Sequence, residues 1–276
     1  MSLCRSLAFP ITIVFLGLHP GTAFGEDPDA AGEPIEEAPL PRLDFQFDEP
    51  RMSLGVRGGW AFNRSKGEIY DFLTDELTLS NSDFDAPAFA IDFSWRLISW
   101  MDVVFGVGYS GRKQNSEDRH HVEEENRSSV VQSTRLTQVP LTVSLKFYPI
   151  GRGEKVGQYA WIRKAVVPYF GGGIGGTWYE LKQKGDFVHV TDPTDPGDVF
   201  CQGGAACIFA DVFTSDAWAF SQHVFAGVDI KLTRSLGLIL EGRYYWADAK
   251  VQGDYVGFNR IDLDGARAMI GFNWKL

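Results

Sequence analysis

The chain lacks a long hydrophobic run. Past its first 20 residues, none of its 276 residues belongs to an apolar stretch long enough for a spanning helix, which takes about 20 consecutive apolar residues. With a mean hydropathy of −0.13, a polytopic helical membrane protein is excluded. Positive charge is also short: 26 Lys and Arg stand against 36 Asp and Glu, a net charge of −10. A nucleic-acid partner would call for a basic stripe, so no nucleic acid is expected. Cysteine is scarce as well, with three in the chain.

Cys4 lies in an N-terminal targeting segment. Arg5 supplies the positive charge, and Leu7 to Leu18 form an apolar core of secretory-signal length. Ala23-Phe24-Gly25 fits a small-x-small cleavage site, so residues 1–25 read as a signal peptide and the mature chain starts at Glu26. An uncleaved anchor is the alternative, but the core is too short to span. That leaves Cys201 and Cys207, an even pair in an exported chain, which reads as a disulfide. The other reading is two free thiols. Residues 26–50 are acidic and proline-rich, with Pro28, Pro34, Pro39 and Pro41. Such a composition buries too little apolar surface to fold alone, so this stretch is expected to be a flexible periplasmic leader.

What the chain has instead is alternation. In Ala266 to Leu276 every second residue is apolar: Ala266, Ala268, Ile270, Phe272, Trp274, Leu276. Between them lie Arg267, Met269, Gly271, Asn273 and Lys275. Strand side chains point alternately to two faces, so this strand is oily on one side and mostly polar on the other. The same period runs from Met52 onward. Strands are expected around Met52–Phe62, Phe89–Leu97, Val103–Tyr109, Val139–Phe147, Pro168–Tyr179, Phe220–Leu232 and Leu236–Trp246, eight with the last. Long polar loops are expected at 64–86, 112–133 and 182–216, with another near 247–262. Shorter connections fall near Ser99-Trp100, at 149–165 and at Thr233-Arg234-Ser235.

Alternating long loops and short turns, an even strand count, and apolar-out, polar-in patterning describe an outer-membrane barrel. Residues 51–276 are therefore read as all-β: an eight-stranded antiparallel transmembrane up-and-down β-barrel. Six of the eight tryptophans (Trp60, Trp95, Trp178, Trp218, Trp246, Trp274) take the outward parity near strand ends, as interfacial belts require. A soluble sandwich or lipocalin-like barrel is the alternative. The export signal, the aromatic ends and the loop lengths decide against it.

Several runs carry a resemblance. Thr137-Gln138-Val139-Pro140-Leu141-Thr142-Val143-Ser144-Leu145-Lys146-Phe147-Tyr148-Pro149 resembles the fourth strand of small bacterial outer-membrane barrels. Pro168 to Gly175 looks like the strand that follows, and Ala226-Gly227-Val228-Asp229 and Glu241-Gly242-Arg243-Tyr244-Tyr245 look like the sixth and seventh. Residues 52–276 are thus similar to the OmpA-, OmpX- and OmpW-like barrels. The resemblance implies fold and location in the outer membrane of a Gram-negative cell, with lipid and lipopolysaccharide as partners. The end, with Phe272, Trp274 and Leu276, resembles the signal read by the barrel-assembly machinery, departing from it by closing on Leu rather than Phe.

Inward parity collects Arg57, Asp92, Arg96, Lys146, Asp229, Lys231, Glu241, Arg243, Arg267 and Lys275. Buried charges must pair, and an eight-stranded interior is just wide enough for side chains to fill. The expectation is a salt-bridged plug, with cross-strand pairs between Glu241 and Arg243 on one strand and Asp229 and Lys231 on its neighbour. A narrow or gated pore, anion-favouring because bases outnumber acids, is the sharper alternative. The run Gly171-Gly172-Gly173-Ile174-Gly175-Gly176 contains G-x-G-x-x-G, but no βαβ unit surrounds it; no cofactor is expected. His120, His121 and Glu123 to Glu125, and the run from Asp192 to Asp198, are weak metal candidates, and no metal site is expected. An outer-leaflet lipid enzyme would need Ser and His at the outer rim, and the only strand histidine, His223, has inward parity. The leading expectation is a non-enzymatic barrel that presents its loops to lipopolysaccharide or to a host or environmental surface ligand. A small porin or hydrophobic-solute channel comes second, and the lipid-modifying enzyme third.

Overall fold

The computed structural model describes residues 46–123, 128–157, 160–190, 201, 206–255 and 257–276. The expected signal peptide, most of the leader, Glu124, Glu125 and the run from Asp192 to Asp198 lie outside them. The strands are β1 (Met52–Asn63), β2 (Ala86–Ile98), β3 (Met101–Glu123), β4 (Ser128–Phe147), β5 (Gly153–Val156), β6 (Ala160–Arg163), β7 (Val166–Val190), β8 (Ala206–Lys231), β9 (Leu236–Lys250), β10 (Arg260–Asp262) and β11 (Gly265–Lys275). One short helix, α1 (Glu68–Glu76), follows β1.

Every barrel pairing is antiparallel, in the order β1, β2, β3, β4, β7, β8, β9, β11 and back to β1. The closing seam runs from Ser53 opposite Lys275 to Asn63 opposite Gly265. Closure pairs backbone donors and acceptors from strand to strand around the wall, as a lipid-embedded sheet demands, and leaves no edge. β10 adds a short rung to β9 beyond the seam, and β5 and β6 form a separate hairpin.

The outward faces carry an exposed apolar band. Phe89, Phe105, Ile174, Phe220 and Ile270 are each at least 50% exposed. Soluble monomers rarely leave contiguous apolar patches above a few hundred Å², so lipid covers this band. Trp60, Trp95, Trp218, Trp246 and Trp274 are exposed with it. The chain is an eight-stranded transmembrane β-barrel.

Its two ends differ. At one, the strands are joined by the turns after Ile98 and Lys231 and by the connection that holds β5 and β6. At the other, β3, β4, β7 and β8 run on to 23, 20, 25 and 26 residues. A tilted strand crosses a membrane in about 9–11 residues, so these four rise well above the lipid as a crown. This corrects the loops expected at 112–133 and 182–216, most of which is strand. Their charge density suggested solvated loop, but charged side chains on a wall outside the lipid are solvated too. The backbone gains by pairing there, as Gln114 does with Thr134 and Gln183 with Phe213. The disulfide joins Cys201 to Cys207 at the tip of the crown, with Cα atoms 5.4 Å apart.

The loop expected at 64–86 also gains structure. In α1, Ile69, Tyr70 and Leu73 share one face and are fully buried; spacing of one and four residues is what a single helical face needs. Glu68 and Asp71 sit in the first turn, where acids favour the helix dipole.

The seam depends on glycine. A Cβ built on Gly271 would collide with the carbonyl of Val56 and lie 2.6 Å from the Cα of Arg57. Gly271→Val should therefore force β1 and β11 apart and cost roughly 3 kcal/mol. The check is heat-modifiable gel mobility: a variant that still migrates as a compact barrel at the parent's melting temperature would contradict the seam.

Candidate functional site

The lumen has three levels. At the short-turn end lies an ionic floor. Glu49, in the segment just before β1, pairs with Arg96 at 2.7 Å and with Arg152 at 2.9 Å. Arg152 also reaches both oxygens of Asp102 at 2.8 and 2.9 Å, and the Tyr148 hydroxyl donates to Asp102 at 2.8 Å. Asp229 is held by Arg163, by Lys275 at 2.9 Å and by the Asn273 amide at 3.3 Å. Backbone pairing of Gln46 with Trp161 ties the pre-barrel segment to β6. The end of the expected leader is thus part of the barrel's base.

The middle level is centred on Glu241. It pairs with Arg57 and, at 3.0 Å, with Arg243, and it accepts from the Tyr169 hydroxyl at 2.9 Å. Arg57 also pairs with Asp92. The Lys146 ammonium lies 3.6 Å from the centre of the Tyr169 ring, a cation–π contact, and the Arg267 guanidinium lies 4.6 Å from that of Tyr245. Arg267 also donates to Ser110 and Gln138. Such groups are tolerated inside only because they satisfy one another. Two cavities at these levels, one beside Glu49 and Asp102 and one beside Arg57 and Glu241, measure about 10 Å³ each. That is about the space of one water.

The structure brings Arg57, Asp92, Lys146, Glu241, Arg243 and Arg267 into the lumen, all buried. Arg96 and Lys231 lie instead at the base, half-buried. The expected cross-strand pairing of Asp229 with Arg243 is replaced by Asp229 with Arg163 and Lys275. The register sets Glu241 opposite Gly227, Arg243 opposite Phe225 and Asp229 opposite Ile239, and the connection carrying Arg163 folds back under the barrel to reach Asp229. Arg152, Arg163, Asp102 and Glu49 were missed for the same reason: three stand in turns or at strand ends, where alternation says nothing.

His223 faces inward, fully buried, with Nε2 2.8 Å from the Ser144 hydroxyl. A Ser-His pair invites comparison with a hydrolase. Its Nδ1 has no acceptor, so the orienting acid of a triad is missing, and the pair is sealed from any lipid substrate. Among the described residues, no group of three His, Cys, Asp or Glu is arranged to hold a metal ion.

The third level fills the crown. The α1 face packs with Leu77, Leu79, Phe84, Leu136, Tyr179, Leu181, Ile261 and Leu263 into an apolar core above the ionic levels. Beside it opens a cavity of about 320 Å³, lined by Phe72, Phe187, Phe209, Phe213 and Tyr255, with Gln132, Gln183, His189, Asp118 and Asp254 among its polar groups. Phe187 and Phe213 meet edge to face at 4.5 Å. Tyr255 donates to Gln183 at 2.9 Å, and Gln183 to Gln132. Burial pushes the Tyr255 phenol above its ordinary range, keeping it a neutral donor. Beside the plug, the backbone N–H and hydroxyl of Ser80 hold Asp83 below the usual carboxylate range. An apolar cavity with a few converging polar groups is the common form of a small-molecule site. The sequence hid it, because its aromatics come from segments that read as loops.

No protein-family model and no curated protein matches the chain. Among solved structures it is similar to Neisserial surface protein A, at 12% identity over 82% of this chain and 97% of that one, TM-score 0.38. It is similar to Ail, the attachment invasion locus protein of Yersinia pestis, at 10% identity over 82% and 97%, TM-score 0.36. It is also similar to the E. coli outer membrane protein W, at 13% identity over 82% and 98%, TM-score 0.35.

Proposed function

We propose that this chain is an integral outer-membrane protein that works at the cell surface, with its crown as the interaction element and the aromatic cavity as the place where a small apolar or aromatic group is held. The short-turn end then faces the periplasm and the crown faces outward. Residues 1–25 serve as the export signal, and Phe272, Trp274 and Leu276 as the signal to the assembly machinery. The observation that carries the reading is the contrast of volumes: about 320 Å³ in the crown against about 10 Å³ at each ionic level. Space to bind exists at the outer end, and the levels beneath it are packed with paired charges.

The refolded full chain, titrated with 1-aminoanthracene, should bind it saturably at one site. Phe213→Ala should weaken that binding about tenfold, the equivalent of one lost aromatic contact. Uptake no greater than into empty micelles would remove the cavity from the proposal.

The second reading is a hydrophobic-solute channel, favoured by the same cavity, where such a solute would first lodge. In planar bilayers the surface-interaction reading expects no conductance steps. Stable anion-selective steps would replace it with the channel.

A further inference from the structure

The charged side chains around the crown cavity have one sign. Glu76 on α1, Asp118 on β3 and Asp254 in the turn Gly253–Tyr255 all line it. Among the described residues that line it there is no Lys or Arg. Arg119, next to Asp118, is exposed and donates to the carbonyls of Leu77 and Leu79. The backbone adds to the imbalance, because α1 ends at the cavity. Glu76 is its last residue, Leu77 its C-cap, and its last turn carries no basic side chain. A helix C-terminus presents partial negative charge, the same sign as the carboxylates around it.

The amides and the phenol of the cavity are already engaged with one another. Tyr255 donates to Gln183 at 2.9 Å, Gln183 to Gln132, and Gln132 to the carbonyl of Asp186 at 2.9 Å. Asp254 accepts from the backbone N–H of Thr214 at 2.8 Å, and an ionised carboxylate accepts at about four positions. A ligand suited to this site brings apolar surface for Phe187, Phe209 and Phe213, positive charge for the acids, and N–H donors for their oxygens. The aromatic faces attract a cation as well.

We propose that the crown cavity binds a primary ammonium carried on an aromatic group, with the rings of the cavity around the aryl part and Glu76, Asp118 and Asp254 around the ammonium. This rests on the reading of the cavity as a binding site, and narrows its ligand from any small apolar or aromatic group to a protonated arylalkylamine. A volume of about 320 Å³ lies within the range of small-molecule pockets and admits a fused-ring amine.

The test uses the refolded full chain in nonionic detergent with bound 1-aminoanthracene, whose own amine is uncharged at neutral pH. Three competitors share one ring system: 1-naphthylmethylamine, protonated at neutral pH, 1-naphthylmethanol and 1-naphthoate. The amine should bind about 30-fold more tightly than the alcohol, each partly open carboxylate contributing about a factor of three, and the naphthoate should bind most weakly. Added salt should shrink the preference. In the triple variant Glu76→Gln, Asp118→Asn, Asp254→Asn the amine-to-alcohol ratio should fall to about one, and in Glu76→Gln alone it should fall about threefold. Heat-modifiable gel mobility shows whether each variant forms the barrel, and the single variant, at a half-buried helix end, carries the test if the triple one does not fold. The inference is overturned if folded variants keep the parent's ratio, or if the trimethylammonium analogue, which has no N–H, binds as tightly as the primary amine. Amine and alcohol that displace 1-aminoanthracene from the parent equally well sink this inference and leave the cavity standing as a binding site. A parent that does not bind 1-aminoanthracene sinks both.

Discussion

Glu241→Ala should lower the unfolding free energy of the refolded barrel by about 3–5 kcal/mol, the usual effect of removing one partner from a buried ion pair. Glu241 is the hub of the middle level, paired with Arg57 and Arg243 and accepting from Tyr169. Its side chain is 1% exposed. Truncation leaves Arg57 with Asp92 alone and Arg243 with the Tyr245 hydroxyl as its remaining polar contact. Neither arginine can escape by losing its proton. Replacing the pair together, as Arg57→Met with Glu241→Met, should be far milder, because two apolar groups of similar length leave less charge stranded. Equilibrium urea unfolding in lipid vesicles measures both. A single-variant loss below about 1 kcal/mol would mean that solvent reaches the middle level and that the lumen is wetter than its packing implies.

Ile270→Arg should cost about 2–4 kcal/mol in vesicles, the penalty for a cation on the lipid face near the bilayer midplane. Ile270 is 54% exposed, opposite Gly58 on one side and Leu240 on the other, midway along the seam strand. Val131→Arg provides the contrast. Val131 is 49% exposed on the outer wall of the crown, above the lipid, where a surface substitution should stay within about 0.5 kcal/mol. Two exposed apolar residues with near-equal exposure should thus differ several-fold in cost. Equal small effects at both would point to water around the whole barrel and return the soluble alternative.

Much of the fold was legible because alternation is a local property. Trp60, Phe89, Ile174 and Ile270 announce the lipid face, and Arg57, Asp92 and Glu241 the lumen, each from its own strand's parity. An up-and-down barrel removes its sheet edges only by pairing its first strand with its last, and the seam joins β1 to β11. The crown was not legible in the same way. At 112–133 and 182–216 the sequence shows charge, and charge suits both a loop and a strand wall above a membrane. Lys113, Arg135 and Lys182, which lie in or at the edge of those two expected loops, come opposite one another only through the register of β3, β4 and β7. The aromatic cavity stayed hidden for the same reason, since Phe187, Phe209 and Phe213 come from crown strands.

By itself, then, the sequence determined that this chain makes a barrel, which of its faces meets lipid and which residues are driven into the lumen. Those are consequences of side-chain direction at every second position and of what hydrocarbon tolerates. The tertiary structure alone decided which charge meets which, as when Asp229 takes Arg163 and Lys275 over the cross-strand Arg243. It also decided that Glu49 closes the base, that α1 fills the crown, and that the space left inside the barrel lies at the crown end. Those depend on distances between residues far apart in the chain, set by strand register and by where the connections fold back. No pattern within a single strand encodes either.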